Sequence, residues 1–144
     1  TDVFAHRERI SRLPKRALLD TEDVVILLDL DPGEVDPLIA SGEIPSKKVC
    51  EDAEFFAFRD IDPQAPIHIL IVPKRHIAGA AELAGGDAPL AGRMLAFAGG
   101  VAEQEGLNKR GYRLVLNEGP DGGQAVLHVH LHLLGGRKMT WPPG

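Results

Sequence analysis

The pattern of apolar and polar positions predicts several short strands and one long helix. The segment IHILIVP (67–73) is a continuous apolar run closed by a proline, which is typical of a buried strand. Between residues 87 and 106, apolar residues recur at helical spacing, which predicts a helix with Asp87 as N-cap and Gly106 just beyond its end. Further strands are predicted in three other segments: 46–60, where two strands flank an EDAE turn, 111–119 and 125–134.

These elements amount to about five strands and one long helix, without the regular strand–helix alternation of a parallel sheet. The expected fold class is therefore α+β with an antiparallel sheet. Upstream, DPLIASGEIP (36–45) predicts a short helix that begins at Asp36 and Pro37. Residues 1–34 hold an apolar run too short to show a period, so strand and helix both remain open there. We treat 1–34 as an N-terminal extension and 35–144 as the domain.

Length, charge and cysteine content limit the classes of function. A chain of 144 residues fits a single domain. Its formal net charge of −5 does not indicate a surface for nucleic acid or membrane, and no apolar run approaches the ~18 residues of a membrane helix. The lone Cys50 excludes an intrachain disulfide framework and favours a cytoplasmic or nuclear location. The basic segment 6–16 keeps organellar import open, although Glu8 is atypical of a transit peptide.

Three histidines alternate with apolar residues in AVLHVHLHLLGG (125–136). On a strand, side chains alternate between faces, so His128, His130 and His132 are expected to point the same way, about 6.6 Å apart. The leucines and valine between them would then face the core. One face of the predicted strand would be hydrophobic and the other a row of imidazoles.

Three interpretations of this row compete. Buried structural histidines would each need a hydrogen-bond partner, because an unpaired buried imidazole is costly. A zinc site would have to draw together residues whose outer Cα atoms are roughly 13 Å apart, with no carboxylate nearby in sequence to orient them. Catalysis on phosphorus suits the row best, because a neutral imidazole is a nucleophile and its neighbours can bind oxygens and move protons. The preceding glycine-rich NEGPDGGQA supports this, since its backbone N–H groups could approach an anion closely.

A family resemblance extends beyond this row. HVHLHLL resembles the histidine triad motif, and four other segments are similar to the Hint branch, the histidine triad nucleotide-binding proteins: IPSKKV, FRDIDPQAPIHILIVPKRHI, GYRLVLNEGPDGGQ and LLGGRKMTWPPG. The similarity covers about residues 35–144. It implies a HIT-like fold, a five-stranded antiparallel sheet with one long helix, in a homodimer whose sheets join into one of ten strands.

The resemblance also implies an activity without a metal or other cofactor. This activity is the hydrolysis of purine nucleoside phosphoramidates and acyl-adenylates of the AMP-lysine type, with AMP, or GMP as a second candidate, as the nucleotide. His130 would be the nucleophile and form a nucleotidyl-histidine intermediate. His132 would serve the leaving group as donor or acid, His128 would hold the strand geometry, and His68 would orient His130.

The implied substrate contacts fall into four groups. The phosphate would be held by Asn117, Gly123, Gln124, Ala125 and Val126. Asp60 would accept both ribose hydroxyls, which suits a carboxylate, although it could simply cap the following turn. The base pocket would be lined by Ile44, Phe58, Ile61 and Leu70, which could equally be ordinary core. Trp141 would reach the partner subunit's site, whereas His76 is interpreted as structural.

Two positions depart from the family pattern. Ala125 stands where the branch typically has serine, and the lost hydroxyl predicts a slower or altered hydrolase rather than an inactive one. Asp36 stands where an aromatic would pack near the base, a space that residues 1–34 could fill.

Three alternative functions stay open. They are a nucleotide-binding or scaffold protein with weak residual hydrolysis, a dinucleoside polyphosphate hydrolase, and a zinc protein. The closing WPPG argues against the second of these.

Overall fold

The structure is a computed structural model that describes residues 48–60, 62–124 and 128–144. Its five strands form one antiparallel sheet in the order β1-β2-β3-β5-β4. Along the chain the described elements are β1 (Lys48–Glu51), β2 (Phe55–Arg59), β3 (Ile67–Pro73), α1 (Ala80–Ala84), α2 (Ala88–Gln104), β4 (Tyr112–Leu116), α3 (Gly119–Gly122) and β5 (Leu131–Gly135). The predicted α+β class and five-stranded antiparallel sheet are confirmed.

Helix α2 covers one face of the sheet and forms the core with it. Its buried residues lie at helical spacing: Leu90, Met94, Ala98, Val101 and Ala102. They pack in one cluster with strand residues that include Ile69, Ile71 and Leu133, all with 0% of their surface exposed. Each fully buried side chain of this size contributes roughly 1.5–3 kcal/mol relative to an exposed one, so this face holds the sheet together.

The end of α2 follows the predicted pattern. Gly106 has a φ of 75°, a left-handed conformation that favours glycine. Its N–H donates to the Glu103 carbonyl at 3.0 Å, and the Leu107 N–H donates to the Ala102 carbonyl at 2.9 Å, which together form a Schellman motif. At the other end, Asp87 takes the N-cap position as predicted, but its side chain makes no capping hydrogen bond.

The predicted final strand, 125–134, is wrong at residues 128–130. Strand β5 begins at Leu131, so His128 and His130 lie in an irregular segment before it. There the Val129 N–H donates to the Ile77 carbonyl at 2.6 Å, and the His128 side chain is completely buried. The three imidazoles therefore do not form one row on a single strand face.

Two short helices were not predicted. The glycine-rich segment NEGPDGGQA contains the helical turn α3. Helix α1 has five residues, which is too short to show a hydrophobic period. No helix within the described ranges has the length and apolar character needed to cross a membrane.

Several predictions fall outside the described residues. They are the N-terminal extension 1–34, the helix at 36–45 and its Asp36, and the site residues Ile44, Ile61, Ala125 and Val126.

Candidate active site

The two central strands bring His68 and His132 together. His68 lies on β3 and His132 on the neighbouring β5, where the register pairs His132 with Leu70 and His68 with Leu134. Residues paired across antiparallel strands share a face, so both imidazoles project from the face opposite the α2 core. Their ring centroids are 5.2 Å apart.

Hydrogen bonds fix where these two rings carry their protons. The Gln64 N–H donates to His68 Nδ1 at 3.0 Å, so the neutral His68 ring carries its proton on Nε2. His68 Nε2 lies 2.9 Å from His132 Nδ1 and is therefore the donor of that bond. His132 accepts at Nδ1 and so carries its own proton on Nε2. Sequence reasoning expected His68 to orient His130; the structure joins it to His132 instead.

His130 carries its proton on Nδ1, whereas His68 and His132 carry theirs on Nε2. Its Nδ1 lies 2.8 Å from the His128 carbonyl oxygen, which can only accept, so Nδ1 carries the proton. Nε2 of the neutral ring then keeps a lone pair. The His130 ring lies 5.2 Å from that of His132 in an edge-on arrangement. Within the described ranges no hydrogen-bond partner faces Nε2 of either ring, so a nucleophilic nitrogen and an N–H donor are presented side by side.

His128 is the structural member of the motif. It is 0% exposed, and its Nε2–H donates to the Pro73 carbonyl at 2.9 Å. Its Nδ1 lies 3.0 Å from Nδ1 of His76, whose ring stacks on it at an interplanar angle of 14°. Burial, only partly opposed by the bond to Pro73, lowers the pKa of His128 to about 3, so the ring is neutral at physiological pH.

Burial also favours the neutral form of His132 and His68. It lowers the pKa of His132 to about 4, with further lowering from the neighbouring His130 and His68. The pKa of His68 is lowered by burial as well, although the charges of Asp60 and Asp62 oppose the shift. His132 therefore meets a ligand as a neutral hydrogen-bond donor rather than as an imidazolium.

The predicted phosphate loop is braced against the segment before α1. The Gly119 N–H donates to Oε1 of Gln124 at 3.0 Å, and Nε2 of Gln124 donates to the Ala78 carbonyl at 2.8 Å. The side-chain amide of Gln124 thus closes the loop and links it to Ala78, a role that the sequence did not indicate. Gly123 ends α3 with a φ of 81°, and Asn117 is half-buried just after β4.

Glu118 is a second brace that sequence reasoning missed. Its Oε1 accepts the Ala81 N–H at 2.8 Å. A Cβ placed on Gly79 would lie 2.7 Å from Oε2 of the same carboxylate, so a side chain at this position would have to displace Glu118. The sequence did not indicate this pair, because Gly79 lies far along the chain from the glycine-rich segment that contains Glu118.

Asp60 caps the following turn, and its second carboxylate oxygen lies beside the histidines. Its Oδ1 accepts the Asp62 N–H at 2.8 Å, which is the turn-capping role. Its Oδ2 lies 3.5 Å from His68 Nε2, so the other oxygen faces the histidine pair.

The remaining expected contacts also have defined positions. Phe58 and Leu70 pair across β2 and β3 and are 2% and 4% exposed, on the histidine face rather than in the α2 cluster. Trp141 is 82% exposed near the C-terminus. The structure thus places Phe58 and Leu70 beside the histidines, and Trp141 on the surface.

One cluster has the residue types of a metal site. The ligand atoms of Asp60, His68 and His132 lie within 4.8 Å of one another, so the fold supplies the carboxylate that the sequence lacked near the motif. The hydrogen-bond directions do not fit a metal, however. A metal-bound histidine donates its other ring N–H, whereas Nδ1 of His68 accepts the Gln64 N–H and its proton sits on Nε2, the atom that would have to coordinate.

Comparison with known proteins identifies the family. The HIT domain family matches residues 41–139. The crystal structure of a HIT family hydrolase from Legionella pneumophila is 55% identical with a TM-score of 0.67, over 74% of this chain and 96% of that chain. The 14 kDa zinc-binding protein of Zea mays is 51% identical over 119 residues, 81% of this chain and 91% of the maize protein. Adenylylsulfatase HINT1 of Arabidopsis thaliana is 50% identical over 108 residues, 74% of this chain and 73% of its own length.

The matched range contains β1 to β5 and all four histidines of the site. The resemblance seen in the sequence motifs is confirmed, and so is the fold that it implied. This chain belongs to the HIT domain family.

Proposed function

We propose that this protein hydrolyses purine nucleoside phosphoramidates and acyl-adenylates to AMP through a nucleotidyl-histidine on His130. The observation that carries the proposal is the 2.8 Å bond from His130 Nδ1 to the His128 carbonyl. It directs the lone pair to Nε2, where a nucleophile is needed. A hydrolase is also consistent with the HIT family hydrolase among the solved relatives.

In the first step, His130 Nε2 attacks the α-phosphorus and the bond from phosphorus to the leaving group breaks. An amine leaving group takes up a proton from solvent, and the hydrogen bond from His132 Nε2–H stabilises the charge that develops beside it. The phosphorylated His130 ring gains positive charge, which the His128 carbonyl dipole stabilises through Nδ1–H. Water then displaces Nε2 from phosphorus and AMP is released.

The proposed substrates share one feature, an adenylyl phosphorus bearing a good leaving group. The Arabidopsis relative is named an adenylylsulfatase, and in adenylyl sulfate that group is sulfate. Attack by His130 would be the same for an amine, an acyl or a sulfate leaving group. Asp60 Oδ2 would hold the ribose hydroxyls, and Phe58 and Leu70 would bound the base. The proposal needs no metal, in keeping with the proton on His68 Nε2.

We also propose that the active form is a homodimer joined through the β4 edge of the sheet. β4 pairs only with β5 among the described strands, so its other side is an open edge. Three large apolar side chains are exposed: Tyr112 on β4, Leu95 on α2 and Trp141. Trp141 follows Thr140, whose carbonyl accepts a hydrogen bond from Arg113 of β4. Light scattering behind size-exclusion chromatography should give twice the chain mass, and a monomer at micromolar concentration would contradict this part of the proposal.

The experiment that tests the function is a substrate panel on the wild type and on His130→Ala. The panel contains AMP-lysine, an acyl-AMP and a diadenosine polyphosphate. We expect turnover of the first two by the wild type, none by the variant, and AMP binding by both. A preference for the diadenosine polyphosphate would favour the polyphosphate hydrolase, and nucleotide binding without turnover would favour the scaffold protein.

A further inference from the structure

The buried ring of His76 takes no part in the proposed reaction. It lies just after β3, is 3% exposed, and stacks on His128 with ring centroids 5.2 Å apart. From the sequence it was interpreted as structural. Its contact with His128 gives it a more specific role.

The direction of the bond between the two rings follows from the groups around His128. Pro73 offers a carbonyl oxygen, which can only accept, so the His128 proton is on Nε2. The neutral His128 ring then has a lone pair on Nδ1. The proton in the 3.0 Å contact between the two Nδ1 atoms must therefore belong to His76, which is the donor.

This bond holds the group that orients the nucleophile. The His128 ring is fixed by His76 on one nitrogen and by Pro73 on the other. The next residue, Val129, is fixed through its N–H on the Ile77 carbonyl at 2.6 Å. Between these anchors lies the His128 carbonyl, and this carbonyl accepts the His130 Nδ1–H.

We propose that His76 is a positioning residue for the nucleophile: its Nδ1–H fixes His128, so that the His128 carbonyl keeps the His130 proton on Nδ1. The effect on the proton position of His130 depends only on the geometry. The effect on rate rests on the proposed function.

Three variants separate this role from simple filling of the core. His76→Asn can place an amide N–H near the position of Nδ1, His76→Gln places it nearer that of Nε2, and His76→Leu has no donor. Val101→Ala, a buried site on α2 that makes no hydrogen bond to a histidine through its apolar side chain, is the control for loss of stability alone.

The first readout is ¹⁵N NMR of the histidine rings at pH 7.5, without substrate. We expect the wild type and His76→Asn to show His130 protonated at Nδ1. His76→Gln and His76→Leu should show a mixture of the two proton positions. If His76→Leu does not fold, the comparison of Asn with Gln decides. Identical His130 signals in those two variants, or an unchanged signal in His76→Leu, would overturn the proposal.

The second readout is steady-state hydrolysis of AMP-lysine. We expect kcat to fall roughly 10- to 100-fold in His76→Gln and His76→Leu, as for a misplaced reacting group, with AMP affinity unchanged. His76→Asn should stay within a few-fold of wild type. Equal losses in all three variants and in Val101→Ala would overturn the proposal, since only stability would be involved.

The two readouts distinguish failure of this inference from failure of the proposed function. If the wild type does not hydrolyse AMP-lysine but the His130 proton moves with His76, the function is wrong and the positioning role stands. If the wild type is active and the proton does not move, the positioning role is wrong.

Discussion

His68 donates a hydrogen bond from Nε2 to Nδ1 of His132 across 2.9 Å, and this bond joins β3 to β5 at the site. The Gln64 N–H on the other nitrogen of His68 gives the bond its direction. The proton of His132 is thereby placed on Nε2, on the side available to a ligand.

Removing the His68 donor should slow the reaction, because His132 would stabilise the leaving group less well. His68→Leu leaves Nδ1 of His132 without its proton donor, so His132 is no longer held as an Nε2–H donor. We expect kcat/KM for AMP-lysine to fall by up to about tenfold, the value of one neutral hydrogen bond. His68→Gln can return an N–H near Nε2 and should recover most of the loss. Equal rates in the two variants would show that the bond has no catalytic effect.

The two most strongly shifted histidines predict a loss of stability in acid. The pKa of His128 is lowered from 6.5 to about 3 and that of His132 from 6.5 to about 4. Below pH 6.5 the unfolded chain binds protons that the folded chain does not, so stability falls as the pH drops toward these lowered values. Above pH 6.5 neither group contributes a pH dependence.

The free energy of unfolding in urea, measured from pH 7.5 to 4.5, tests this. Below pH 6.5, each histidine should lower the free energy of unfolding by at most roughly 1.4 kcal/mol for each pH unit. His132→Gln removes one of the two groups and should make the curve less steep. An unchanged slope in the variant would mean that His132 is not held neutral by burial.

The Gly79–Glu118 contact predicts a coupled pair of substitutions. In Gly79→Ala the new Cβ must displace the Glu118 carboxylate, which then releases the Ala81 N–H. We expect a loss of about 1 kcal/mol in unfolding free energy, the value of one such bond. In a Glu118→Ala background the same change should cost almost nothing. An equal cost in both backgrounds would show that the two residues are not coupled.

The proton positions also predict the response to zinc. Calorimetric titration of the chelator-treated protein should show no stoichiometric binding at the Asp60, His68 and His132 cluster, and hydrolysis should continue in EDTA. One equivalent of zinc bound by the wild type and lost in Asp60→Asn would contradict the assignment of the His68 proton to Nε2. The same titration on the Zea mays relative, which is named a zinc-binding protein, would provide a direct comparison.

The elements whose boundaries carry local signals were predicted well. Strand β3 ends at Pro73, and α2 has a clear helical period and a left-handed glycine just beyond its end. The start of β5 was wrong because apolar and polar residues go on alternating through 128–130, where the chain leaves the sheet and buries His128. Alternation alone does not distinguish a paired strand from an extended segment.

The residue types of the site were also visible in the sequence, but the contacts among them were not. The proton positions depend on the Gln64 N–H and the Pro73 carbonyl, backbone groups that the fold brings to the rings. The facing of His68 to His132 depends on the register of β3 and β5. These are tertiary relationships between segments far apart in the chain, and no local pattern encodes them.

The central claim is that His130 Nε2 forms a covalent bond to phosphorus. The most direct measurement is mass spectrometry of the protein quenched in acid-free conditions during turnover of AMP-lysine, followed by peptide mapping. We predict a nucleotidyl adduct on His130 that accumulates before the steady state and is absent in His130→Ala. Steady hydrolysis with no adduct, or an adduct on another residue, would contradict the claim.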